Sequence, residues 1–150
     1  VSSVYVRTEV ETFIGVELPS ETALDVTAQF DYLQDFLADN GVGIKDRWLG
    51  LQYVGNDEVP ISIASNNTQG CYRETGSIFI HIVEPVSNNS TVNILTRSEN
   101  IRNKFRGQSI NGIRIESVTP PNFESGATLN FDGGYTAAAV VVNYEYDINL

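Results

Sequence analysis

The sequence predicts an α+β fold: a mixed, mostly antiparallel β-sheet packed with two to three α-helices in a single domain. Three observations carry this expectation. Apolar residues recur at helical spacing over Val26–Asp39 and Thr91–Phe105. Apolar alternation fills Tyr72–Glu84 and Tyr135–Ile148. The segments run helices, strands, helix, strands, which is the order of an α+β domain. A chain of 150 residues suits one domain and buries a core without disulfide or metal staples.

The first stretch, Val4–Leu18, fits two patterns. Val6, Val10 and Phe13 lie on one helical face, whereas Val4, Val6, Val10, Ile14, Val16 and Leu18 also fit alternation. The helical spacing predicts a helix over Ser3–Gly15, stopped by Pro19-Ser20. A second helix is expected over Val26–Asp39, where Val26, Phe30, Leu33 and Leu37 share a face. Thr22 with Asp25 resembles a capping box, and Asn40-Gly41 a C-terminal stop. The part around Leu24–Phe30 could instead be extended. Strand character follows: Asp46–Val54, a turn at Gly55-Asn56, then Val59–Ala64 and a polar loop at Ser65–Gly70. Tyr72–Glu84 is the strongest strand. Ile78, Ile80 and Ile82 line one face, and Phe79, His81 and Val83 the other, so it is expected to be central or covered on both sides. Pro85 ends it. Thr91–Phe105 reads as a helix with a stripe of Ile94, Ser98, Ile101 and Phe105. Arg97, Arg102, Lys104 and Arg106 form its basic C-terminal half, favourable to the helix dipole. After Gly107 come a strand at Ile113–Val118, a long loop at Pro120–Gly134 with a turn at Gly133-Gly134, and a final strand at Tyr135–Ile148.

The chemistry is sparse. Nineteen acids against nine bases give a net charge of −10, which argues against a protein that grips a nucleic-acid backbone. The one cysteine, Cys71, excludes an intramolecular disulfide and a cysteine-rich zinc site, and suggests a reducing compartment. The one histidine, His81, sits within an apolar strand and reads as a satisfied, partly buried side chain. Glu9/Glu11 and Asp31/Asp35 read as solvated faces, and Asp57-Glu58 as part of a turn. Gly41-Val42-Gly43 lacks the spacing and the following Lys-Ser/Thr of a phosphate loop. No catalytic, metal or cofactor site is expected. The longest apolar run, Ala137–Val142, is far short of a membrane span, so no membrane partner is expected. The chain opens Val1-Ser2 without Met, which predicts a processed N-terminus, and shows no signal-peptide pattern.

Several segments carry a family likeness in their order. They are Trp48-Leu49-Gly50-Leu51, then residues 70–86 (GCYRETGSIFIHIVEPV), and a helix ending in Phe105-Arg106-Gly107. Ile113–Val118 running to Pro120, a long loop, and Tyr135 to Asp147 complete the order. Over roughly residues 46–148 this resembles the tail terminator (tail completion) proteins of long-tailed bacteriophages; residues 1–45 match only as a helical N-terminal portion. The resemblance implies a small mixed sheet with helices packed on it. It also implies a homo-oligomeric ring, usually a hexamer, seated on the last ring of the tail tube at the head–tail junction of the virion. Such a ring stops tube polymerisation and presents the surface that joins the neck or head-completion protein. Viral DNA would pass through its lumen without specific binding.

Six copies would carry about −60, so acids facing a lumen would repel phosphates. Closing such a ring requires a heterologous interface. On this reading Arg73, Arg97, Arg102, Lys104, Arg106 or Arg114 pairs with acids of a neighbour. The candidate subunit or tube contacts are Tyr72, Arg73, Arg102, Arg106, Phe123, Tyr135, Tyr144 and Tyr146. Tyr144 and Tyr146 fit either the core or an interface. The competing expectations are a neck or tube protein, a small hydrolase or ligand-binding domain using His81 and Cys71, and a host-encoded oligomeric domain with no virion role.

Overall fold

A computed structural model describes residues 4–27, 33–42, 46–60, 71–123 and 135–149. It is one α+β domain whose mixed, mostly antiparallel sheet curls into a half-barrel.

The N-terminal ambiguity resolves as helix α1, Val4–Glu17. Its buried residues Val6, Val10 and Ile14 are four apart, and Leu18 continues the row. Alternation would have buried Val4 and Val16 as well, yet these are 80% and 70% exposed. The expected helix over Val26–Asp39 is present over its C-terminal half, Val26 and Thr27 are not helical, and the extended alternative around Leu24 holds just before it. Ala23–Asp25 forms strand β1, and helix α2 covers only Leu33–Asp39. Residues 28–32, including Phe30 and Asp31, lie outside the described residues. The Thr22/Asp25 capping box does not exist, because the Asp25 carboxylate instead accepts hydrogen bonds from Arg7 and from Thr27. The stop at Asn40-Gly41 is present. Gly41 has φ +75°, its N–H donates to Ala38 O and the Val42 N–H to Leu37 O, the paired bonds of a Schellman cap.

The expected turn at Gly55-Asn56 is a β-bulge. Strand β2 runs unbroken over Trp48–Pro60, and the register shifts between Gly55 and Asp57 so that Asn56 is the extra residue. Ile61–Gly70, with the rest of the expected second strand and the polar loop, lies outside the described residues. Strand β3 is Cys71–Pro85, helix α3 is Ser90–Phe105, strand β5 is Ile113–Val118 and strand β6 is Tyr135–Asn149. Between α3 and β5 lies a short strand β4, Ser109–Ile110, which the sequence pattern does not predict. It pairs with β5 through Asn111-Gly112, with φ of 48° and 90°, the two left-handed positions of a type I′ turn. Of the loop Pro120–Gly134, residues 124–134 lie outside the described residues, the Gly133-Gly134 turn among them.

The sheet order is β1-β2-β3-β6-β5-β4, with β1 parallel to β2 and the other pairs antiparallel. Strand β3 is central, as its two apolar faces require. Ile78, Ile80 and Ile82 join the main core with Ala138, Val140 and Val142 of β6, under α1 and α3. On the other face Trp48, Val83 and half-buried Ala137 lie in register across three strands, and Leu37 of α2 joins them with Val26 and Val42.

Candidate interaction surface

Most charged side chains are engaged within the chain, so the surface left for a partner is found by elimination. Arg97 is the largest departure from expectation. It stands in the row Ile94, Arg97, Ser98, Ile101, Phe105 and is only 7% exposed. Its guanidinium forks onto Glu21 at 2.9 and 2.5 Å, and donates to Glu84 Oε1 at 3.3 Å. It also donates to Val83 O at 2.9 Å and Trp48 O at 3.3 Å. One side chain thereby ties α3 to the α1–β1 link and to the adjoining ends of β2 and β3. The signal is in the sequence: Arg97 is three residues after Ile94 and four before Ile101, on the buried stripe rather than the basic face.

Arg73 and Arg114 flank β6 on the sheet face opposite α1 and α3. Arg73 Nε donates to Asp147 Oδ1 at 2.8 Å, Arg114 Nε to Glu145 Oε1 at 2.8 Å, and Arg114 Nη2 to Asp147 Oδ1 at 3.1 Å. The register demands this, since Arg73 opposes Asp147 and Arg114 opposes Glu145. Hydrogen bonds from Arg73 and then Arg114 pull the Asp147 carboxyl down to about 2. A depressed carboxyl stabilises the fold above its ordinary value near 3.8 and loses that contribution as pH falls through about 2. The stability difference between the native chain and Asp147→Asn should therefore shrink over that window in acid titrations followed by circular dichroism. A difference independent of pH would contradict the assignment. Beside this cluster, Ser77 donates to Asn143 Oδ1, and Asn143 Nδ2 to Ser117 Oγ, so the ladder is also satisfied internally.

His81 lies on the same face, 1% exposed, with Nε2 3.1 Å from Gln52 Oε1 and no partner on Nδ1. Cys71 and His81 are ten residues apart on one extended strand, about 33 Å, so they cannot form a nucleophile–base pair. Burial lowers the imidazole to about 4. The unfolded chain binds the proton first, so this contribution is complete above the ordinary value near 6.5 and is lost as pH falls to about 4. The loss is about 3 kcal/mol. Urea titrations at the two ends of that window should show it in the native chain and not in His81→Gln; equal losses in both would refute it.

The aromatic candidates divide. Tyr144 is a core residue, 1% exposed, and its hydroxyl donates to the buried Glu74 at 2.6 Å. Tyr146 is half-buried and stacks on Tyr5 with centroids 4.9 Å apart. Tyr135 is half-buried against the Trp48–Val83 cluster. Tyr144 is accordingly a core residue, whereas Tyr135 and Tyr146 pack within the chain and keep part of their surface exposed. Tyr72 is half-buried at the start of β3, opposite Pro60 and Ile148. Phe123 is 40% exposed.

Arg7, Arg47, Arg73, Arg97, Lys104 and Arg114 all make ion pairs. Among the described residues, Arg102 and Arg106 make none. Arg106 is exposed and donates to Asn103 Oδ1 at 3.2 Å. Arg102 is half-buried, and its Nε is shielded without an acceptor. At the far edge of the sheet, β1 covers only Leu49–Leu51 of β2, and Asn56–Pro60 is exposed. Asp57 and Glu58 lie on this tip, which the sequence hid inside an apparent turn. No group of three or more His, Cys, Asp or Glu among the described residues could hold a metal ion, and no described helix is long and apolar enough to cross a membrane. No family model matches the chain, and neither does any curated protein.

Proposed function

We propose that this chain is a structural subunit of a bacteriophage tail, forming a ring, hexameric in the related arrangements, that caps the tail tube and receives the neck. The observation that carries the reading is the ordered likeness from Trp48 to Asp147. Its segments are not scattered: they are β2, β3, α3, β5 and β6, contiguous strands of one sheet and the helix packed on them. Two further features support an assembly role. The β2 tip offers a strand edge that β1 does not cover, and two arginines stand without an ion-pair partner among the described residues. An uncovered strand edge can pair with another chain, and complementary charges steer and orient association.

The test is the mass of the purified protein in solution, by light scattering or native mass spectrometry, alone and with purified tail tubes. A closed ring, or a monomer that closes into a ring on tube ends and halts their growth, supports the proposal. Unlimited filaments point to a tube protein. A monomer indifferent to tubes refutes the virion reading.

A further inference from the structure

The outward side of α3 and the tip of β2 are two different surfaces with matched chemistry. On α3 and its C-cap, Val92, Leu95, Glu99, Arg102 and Arg106 follow one another at intervals of three and four, so they form a stripe along the flank of the helix beside the buried row, with Arg102 half-buried. Val92 is 61% exposed and Leu95 46%. The stripe is thus aliphatic at its start and basic at its end, with Glu99 between. Its two arginines are the cations without an ion pair among the described residues.

The β2 tip has complementary chemistry. Asp57 and Glu58 are exposed and form no ion pair among the described residues, and Val59 beside them is 40% exposed. Glu58 stands directly opposite Glu74 across the β2–β3 pair. Two carboxylates facing each other in register repel, and a cation brought from outside would relieve that. Gly55, Asn56, Asp57, Glu58 and Glu74 line a shallow hollow of about 220 Å³, room enough for a guanidinium. Self-association of chains with a net charge of −10 also demands local pairing of opposite charges, because the overall fields repel.

We propose that a second copy of this chain docks its β2 tip on the outward stripe of α3, with Asp57 and Glu58 against Arg102 and Arg106. The two patches differ, so the contact is heterologous and each subunit uses one of each. This rests on the ring-forming reading and names the surfaces that close the ring.

The test is a charge swap on exposed positions. Arg106→Glu alone and Glu58→Lys alone should each weaken assembly at least about tenfold in concentration, read by native mass spectrometry and sedimentation. The double variant Arg106→Glu/Glu58→Lys should assemble as the native chain does. Raising salt from about 0.1 to 1 M, which shortens screening from about 10 to 3 Å, should weaken the native assembly. Circular dichroism of each variant checks that it is folded, and Arg102→Gln supplies a charge-removing variant should a reversal disturb the fold. Native chains that assemble while both single variants assemble equally well overturn this interface and leave the ring reading standing. A double variant that stays dissociated also overturns the interface. A native chain monomeric with and without tail tubes overturns both.

Discussion

Replacing Arg97 by leucine is expected to lower the stability of the fold by about 3–5 kcal/mol, the cost of stripping the partner from buried carboxylates. Glu21 and Glu84 present only 7% and 6% of their side chains to solvent; Glu21 would lose the guanidinium that neutralises it, and Glu84 would keep only the exposed Arg47 at 3.5 Å. The carbonyls of Val83 and Trp48 would lose a donor as well. Against a total of about 5–15 kcal/mol for a domain, that loss leaves a marginal protein. Urea titrations followed by the fluorescence of Trp48, the one tryptophan, measure it directly. Arg97→Lys keeps the charge but not the two-pronged geometry, so it should recover only part of the loss. The triple variant Arg97→Met, Glu21→Gln, Glu84→Gln should recover most of it, because no ionised group of this network is then buried unpaired. A leucine variant within about 1 kcal/mol of the native chain would show that the network is not buried as described.

The contrast between Arg97 and Arg106 explains how much of this protein its sequence discloses. Elements whose residues repeat with one period over many positions are legible: α3 and the long strands β3 and β6 lie within one or two residues of their expected limits. The departures share a physical origin. At Leu24-Asp25 the sequence leaves helix and extended chain open, and the extended form holds because β2 offers it a parallel partner, a tertiary pairing that local spacing does not encode. Gly55-Asn56 has the composition of a turn, yet the strand continues because β3 extends far enough to pair with it on both sides of the bulge. The strand β4 is two residues long and exists through its turn and its partner β5. The candidate site diverges for the same reason. Residue type marks the aromatic candidates, but Tyr144 is committed to the core by Glu74, while Tyr146 stacks on the exposed Tyr5 and stays half-buried. Charge marks the basic candidates, and register consumes Arg73 and Arg114 by setting acids opposite them. Arg102 and Arg106 survive as candidates because no acid among the described residues pairs with them.

The second large effect falls on a residue whose importance is steric. Gly76→Ala is expected to lower stability by about 3 kcal/mol, through overpacking and a disturbed charged hydrogen bond. Gly76 has no positive φ, so its backbone is not what forbids a side chain. The Tyr144 ring is: a Cβ at Gly76 would stand 2.5 Å from the Tyr144 hydroxyl and 2.7 Å from the nearest ring carbons. Register puts Tyr144 directly opposite Gly76, so the ring lies over the position that a side chain would fill, and its hydroxyl reaches Glu74. The methyl group must displace the ring and with it that hydrogen bond. In a chain of this size the melting temperature should fall by about 6–12 °C. The opposite expectation holds for Gly15→Ala on the exposed side of α1, where a Cβ meets nothing within 4 Å. There alanine should stabilise by up to about 1 kcal/mol through helix propensity alone. A double-mutant cycle separates contact from propensity at Gly76. In a Tyr144→Leu background the ring is gone, so Gly76→Ala should cost far less than in the native chain, giving a coupling of at least about 1 kcal/mol. Additive losses would mean that the ring does not lie over Gly76 and that the glycine serves the strand in some other way.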